Sequence, residues 1–153
     1  MKPQTALDIC NLALAKLGEA PLAGIDLNGS PAARLCYMHY HPTRREVLCS
    51  NSWKFAIKAV WLSAVDGQFP IPGDCLRILS ASAPNWTLRG RAITCDCKNV
   101  HIKYIADIED VTQFSRMFID AFATLLASKL ALPLTFSVLT AGKLDNEYKT
   151  LIS

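Results

Sequence analysis

The sequence predicts an α+β fold, mainly α, in which an N-terminal helix pair and a C-terminal helix pair form a bundle with a small antiparallel β-sheet inserted between them. Three observations predict it. Apolar residues recur at helical spacing near both ends of the chain. Between those stretches the period drops towards two, and β-branched and aromatic residues become prominent. At 153 residues the chain suits one compact domain and is short for two, so residues 1–153 are read as a single domain.

The first helix is expected over 5–17. Thr5 and Asp8 have the spacing of a capping box, and Ala6, Ile9, Cys10, Ala13 and Leu17 then form one apolar stripe. Gly18 offers a left-handed cap and Pro21 blocks resumption. A second helix, over 31–50, opens at Ser30 with Pro31 in its first turn, where proline loses no useful donor. Pro42 within it predicts a kink.

The strand insertion is expected over about 54–106. Its candidates are Lys54 to Val65, Cys75 to Ala81 (Leu76, Ile78 and Ser80 on one face), Trp86 to Leu88, Ala92 to Cys97, and Val100 to Ile105. Arg89-Gly90-Arg91 reads as a tight turn between two of them. A third helix over 113–132, capped by Thr112, carries Phe114, Met117, Phe118, Ala121, Phe122, Leu125 and Leu126, and should stop before Pro133. A fourth, over 136–151, carries Phe136, Leu139, Leu144, Tyr148 and Leu151 with Lys143 among them.

Composition narrows the function classes. The chain is 51% hydrophobic and 19% charged, so it can build a core with apolar surface to spare for an interface. A net charge of +3, with scattered basic residues, is too weak to argue nucleic-acid binding. The start lacks the pattern of a signal peptide, and no uninterrupted apolar run reaches the ~18–20 residues that span a bilayer. The expectation is a soluble protein made in a reducing cytoplasm, with its six cysteines as reduced, largely core thiols.

Chemistry-bearing constellations are sparse. The sequence has no Gly-rich phosphate loop, no nucleophile elbow and no H-E-x-x-H. Cys95-Asp96-Cys97 would place both sulfurs on one strand face, but that is not a zinc-knuckle spacing. His39 and His41 point about 200° apart on a helix, and Cys36 with His39, although better spaced, finds no further ligands. Asp107, Glu109 and Asp110 suit a helix N-terminus. The residues therefore predict no enzyme, no cofactor and no metal.

Three stretches, in order, resemble the head-to-tail adaptor family of short-tailed phages, which includes the tail tubular protein A group. The first is Ala6-Leu-Asp-Ile-Cys-Asn-Leu-Ala-Leu-Ala-Lys-Leu-Gly18. The second is Arg45-Glu46-Val47-Leu48 followed by Trp53-Lys54-Phe55-Ala56. The third is Phe69-Pro-Ile-Pro-Gly-Asp-Cys-Leu-Arg-Ile-Leu79, similar to a Leu-Pro-x-Asp-x-Leu-Arg-Val run in that family. Phe118 to Leu134 and the helix after it are similar to the family's closing helix pair.

The resemblance implies a virion protein at the head–tail junction, made in the host bacterial cytoplasm. It implies a ring of about 12 copies beneath the portal protein. The partners would be the portal, the downstream tail (nozzle or tubular) protein, further copies of the chain, and genomic DNA passing through without sequence specificity. No membrane is implied. Lys143, Asn146, Tyr148, Leu151 and Ile152 are the candidate portal interface, and Trp86, Arg89 and Arg91 the candidate tail-facing turn. Trp53, Phe55, Pro72 and Asp74 are structural anchors. Two other readings compete: a small DNA-binding or regulatory protein using Arg44, Arg45, Arg89 and Arg91, and an enzyme with Cys75 or Cys97 as nucleophile beside Arg77 or Lys98.

Overall fold

A computed structural model describes residues 2–153. The fold is α+β, with four helices and two small antiparallel sheets. The chain divides into two compact units. One joins the stretch up to Asn51 with Glu109–Ser153, and the other is Ser52–Ile108.

The first unit holds α1 (Ala6–Lys16), α2 (Pro31–Cys49), α3 (Arg116–Thr135) and α4 (Val138–Ile152). The capping box of α1 forms: Asp8 N–H donates to Thr5 Oγ1 at 3.2 Å, and Thr5 N–H to Asp8 Oδ2 at 3.1 Å. At the other end Gly18, at φ +72°, donates to Ala15 O, and Glu19 N–H donates to Leu14 O. Those two bonds make a Schellman cap. Asn11 then pins the following loop, donating to Leu22 O and accepting from Leu22 N–H at 2.7 Å. Ser30 caps α2 by accepting from Ala33 N–H, and Pro42 lies inside that helix.

The centre of this unit is α3, which packs against α1, α2 and α4. Phe114, Phe118 and Phe122 are fully buried, with ring centroids 4.7–6.2 Å apart, and Tyr40 of α2 lies 5.0 Å from Phe122. Tilted aromatic pairs of this kind add about 0.5–1.5 kcal/mol each beyond the area they bury.

The helical boundaries differ from expectation in three places. Asp110, not Thr112, caps a short 3-10 turn (Val111–Gln113), and Ser115 caps α3 by accepting from Phe118 N–H. Helix α3 also runs through Pro133 to Thr135. Proline there forfeits its own bond to Lys129 O, but only two residues of the helix follow it and Phe136 N–H donates to Leu132 O. Over its full length α3 has the length and mean hydropathy (1.5) of a membrane-crossing helix, beyond what the interrupted sequence run suggested, yet most of that apolar stretch is buried within the unit. Finally, Met117, Phe136 and Leu139, assigned to apolar bands, are exposed. The buried stripe of α4 is Leu144 and Tyr148; Leu139, five positions before Leu144, sits about 140° off that line.

The second unit contains two three-stranded sheets where one was expected. The larger has the order β1 (Ile57–Leu62), β6 (Val100–Ala106), β3 (Cys75–Ala81), with β6 central. The smaller has β5 (Ala92–Thr94) between β2 (Phe69–Pro70) and β4 (Thr87–Arg89). Gly90 takes φ +59° in the β4–β5 turn, as the sequence signal required. Val100, Ile102 and Tyr104, on one face of β6, are buried, and so is Ile105 on the other face. Residues 54–56 form a 3-10 turn before β1 rather than its first residues. Strand β5 ends at Thr94, so Cys95 and Cys97 fall beyond it and share no strand face. Two register shifts interrupt β3 opposite β6.

Candidate functional site

Each group of residues singled out in the sequence occupies a defined place. Lys143 and Asn146 are exposed on α4, Leu151 and Ile152 are half-buried, and Tyr148 is buried. Burial pushes the Tyr148 phenol up, despite a hydrogen bond with Ser50. Asn51 Nδ2 donates to Ile152 O at 3.3 Å, which fastens the end of α4 to the end of α2. Tyr148 therefore serves the packing of α4, and the outward face offered by this group is Lys143 and Asn146.

At the β4–β5 turn Arg89 is exposed and Trp86 half-buried. Arg91 is engaged within its own unit. Its guanidinium donates to Pro72 O at 2.7 Å and Cys75 O at 3.1 Å, and Ile71 N–H donates back to Arg91 O. These bonds clamp the proline-rich lead-in to β3, so Arg91 belongs with the anchors rather than with a free basic turn.

Among the expected anchors, Trp53 is buried, and Phe55 and Pro72 are half-buried. Asp74 is the polar centre of the strand unit. Lys58 Nζ lies 2.9 Å from Asp74 Oδ2, Tyr104 Oη donates to Oδ1 at 2.9 Å, and Asp107 N–H donates to Asp74 O. One residue thus ties β1, β6 and the start of β3. Burial raises the carboxyl, but the Lys58 and Tyr104 hydrogen bonds and the Lys58 charge outweigh it and hold Asp74 below the usual carboxylate value. Burial and the Asp74 hydrogen bond push Tyr104 up to about 12.

Of the arginines behind the DNA-binding reading, Arg45 and Arg89 are exposed and Arg44 is not. Arg44 is fully buried in α2; its Nε donates to His41 Nδ1 at 3.2 Å, and Nη2 lies 3.7 Å from Glu109 Oε1. A guanidinium so enclosed cannot reach a DNA phosphate. Cys75 is buried, and Cys97 is half-buried in a loop. Cys10 and Cys36 are buried together; their mutual hydrogen bond and burial push the Cys10 thiol up, which makes it a poor nucleophile. His39 is held below the usual imidazole value by burial and by the charge of Lys129. Among the described residues no cluster of three or more His, Cys, Asp or Glu side chains could hold a metal.

One surface is hidden in the sequence because Phe136 and Leu139 read there as part of the fourth helix's apolar face. At the α3–α4 corner Phe136 is 86% exposed, Leu139 87% and Val138 73%. The available signal was Ser137, a helix cap directly after Phe136, which marks Phe136 as a connecting residue and not part of an apolar stripe. The strand unit thus holds braced anchors and a clamped turn, and the helical unit an exposed apolar corner. No protein-family model matches the chain, and no curated protein matches it.

Proposed function

We propose that the chain is a virion structural protein, a head-to-tail adaptor that forms a ring beneath the portal of a short-tailed phage and joins it to the tail. The observation that carries this reading is the order of the parts. A helical unit drawn from both chain ends brackets a strand unit, Ser52–Ile108, in sequence, and that order supports the reading suggested by the three resembling stretches. The helix pairs would build the ring wall as one bundle, and the β4–β5 turn, with Arg89 at its tip, would face the next tail component.

The mechanism is geometric. A heterologous contact repeated by rotation closes a ring, and the closed ring leaves an axial hole through which DNA passes. The partners are the portal protein, the tail protein, further copies of this chain, and DNA held without sequence readout. The anchors fit such a role, since a joint must hold its shape under load. Asp74 and Arg91 cross-brace the strand unit, and the four-ring aromatic cluster fills the helical one.

Sedimentation of the purified chain with purified portal rings tests the reading. A large complex that survives added salt and contains no DNA is the expected result. A chain that ignores portal rings but shifts on duplex DNA at low salt overturns it.

A further inference from the structure

We infer that the open face of the larger sheet binds single-stranded DNA, with a base stacked on Trp61 and phosphates taken by Lys103 and Arg77. Strand alternation puts Ala59 and Trp61 of β1 on one face, and Lys58, Val60 and Leu62 on the other. The pairing register then sets His101 of β6 opposite Trp61 and Lys103 opposite Ala59. On the far side Ser80 of β3 lies opposite Lys103, and Arg77, exposed, stands on the same face opposite Ile105. Ile105 is buried, so the open part of the face ends there.

Trp61 is the stacking platform. It is 66% exposed, and its ring meets His101 at 61° with centroids 5.0 Å apart, so most of the indole remains in solvent. The backbone beneath this ring pair is held in place: His101 N–H donates to Ser82 Oγ at 2.9 Å, and Ser82 N–H donates to His101 O at 2.9 Å. Lys103 is exposed between two small residues, Ala59 and Ser80, which leave its ammonium accessible. A lone exposed ring needs no explanation. This one stands among cations.

The charge argues for the occupant. Ser52–Ile108 holds seven Lys and Arg against four Asp and Glu, while the helical unit holds nine of each, so the positive excess of the chain lies wholly in the strand unit. Among the described residues, no acidic side chain holds a register position on this face. The occupant must therefore bring negative charge and a flat, unpaired ring. A single DNA strand brings both along its length. A duplex keeps the faces of its bases in the stack, and an acidic peptide segment brings no run of flat rings. Every base has a π-face and every nucleotide a phosphate, so the contact reads no sequence. The adaptor reading enters at one point only: it makes DNA, rather than RNA, the strand that the chain meets.

The test is fluorescence anisotropy of a labelled oligothymidine of about 10 nucleotides, titrated with the whole chain at several salt concentrations. Binding is expected, and log affinity should fall against log salt with a slope of about −0.7 for each phosphate neutralised, near −1.4 for two cations. Trp61→Ala should bind at least about 5-fold more weakly, the lower end of what one base–aromatic stack supplies. Trp61→Phe keeps a ring and should lose less. Lys103→Gln should weaken binding and flatten the salt slope by about 0.7. Both positions are exposed, and unchanged thermal midpoints would show that the variants fold. A duplex of the same length should bind more weakly, and polyglutamate at equal charge should not displace the strand.

No binding at low salt, a Trp61→Ala variant that binds like the wild type, or a duplex that binds as well as the single strand would each overturn the proposal. Displacement by polyglutamate would assign the face to an acidic protein segment, and tighter binding of oligouridine than of oligothymidine would assign it to RNA. Either result ends the DNA reading of this face. Failure here leaves the sedimentation with portal rings untouched. A chain that binds oligothymidine through Trp61 yet ignores portal rings would keep this face and lose the adaptor.

Discussion

Asp74 accepts from Lys58, sixteen positions away, and from Tyr104, thirty positions away, and so joins strands that the chain visits at widely separated times. Its lowered carboxyl value gives the bond a sign. Stabilisation from Asp74 is present above the unfolded carboxyl value near 3.8 and is lost as pH falls through the lower folded value. Asp74→Asn should therefore lower stability at neutral pH and flatten the acid limb of unfolding below about pH 4, as followed by near-UV circular dichroism in a pH titration. Tyr104 works at the other limit. Its phenol is raised to about 12, so its contribution holds below the ordinary phenol value near 10 and fades as pH climbs from there towards 12. Phe136 offers a prediction of opposite sign. Replacing a left-handed, exposed phenylalanine by glycine removes backbone strain and costs little packing, so Phe136→Gly should raise the urea midpoint, by about 1 kcal/mol in stability. A lowered midpoint would show that the ring is held by contacts within the fold.

Elements were legible in the sequence wherever a local rule fixed them. Thr5, Ser30, Gly18 and Gly90 all do what their spacing required, because a cap or a tight turn is decided within a few residues. Elements and sites decided by distant partners were not legible. Nothing near Arg44 announces that it is buried, since its carboxylate partner Glu109 comes from the other half of the helical unit. Arg91 read as a loose basic turn until the carbonyls of Pro72 and Cys75 were beside it. The start and end of α3 were misjudged for a local reason, because Thr112 and Ser115 are both competent caps and Pro133 stands near enough to the end to be tolerated. Pro42 is the sharper case. It lies inside α2 and exposed, where proline forfeits one helical bond and crowds the carbonyl of Met38. Pro42→Ala should stabilise the chain by up to about 3 kcal/mol in urea unfolding. An unchanged midpoint would mean that the surrounding helix already accommodates the ring.

At the scale of the whole molecule, the helical unit takes its parts from both chain ends, so its last helix is fastened before any partner arrives. Leu144 and Tyr148 are buried, and Asn51 holds the carbonyl of Ile152. Amide exchange over 144–152 should therefore be slow in the free protein and no slower in an assembled particle. Fast exchange in the free protein that slows on assembly would mean that α4 orders only on docking. The central claim is that the chain is a ring-forming adaptor, and its most direct test is the mass of the complex with portal rings by native mass spectrometry. The account predicts the portal mass plus a full ring of 16.8-kDa chains, about 12, with partial rings rare because each added copy completes a contact for the next. A portal mass that does not change, or that gains only scattered single chains, would contradict it.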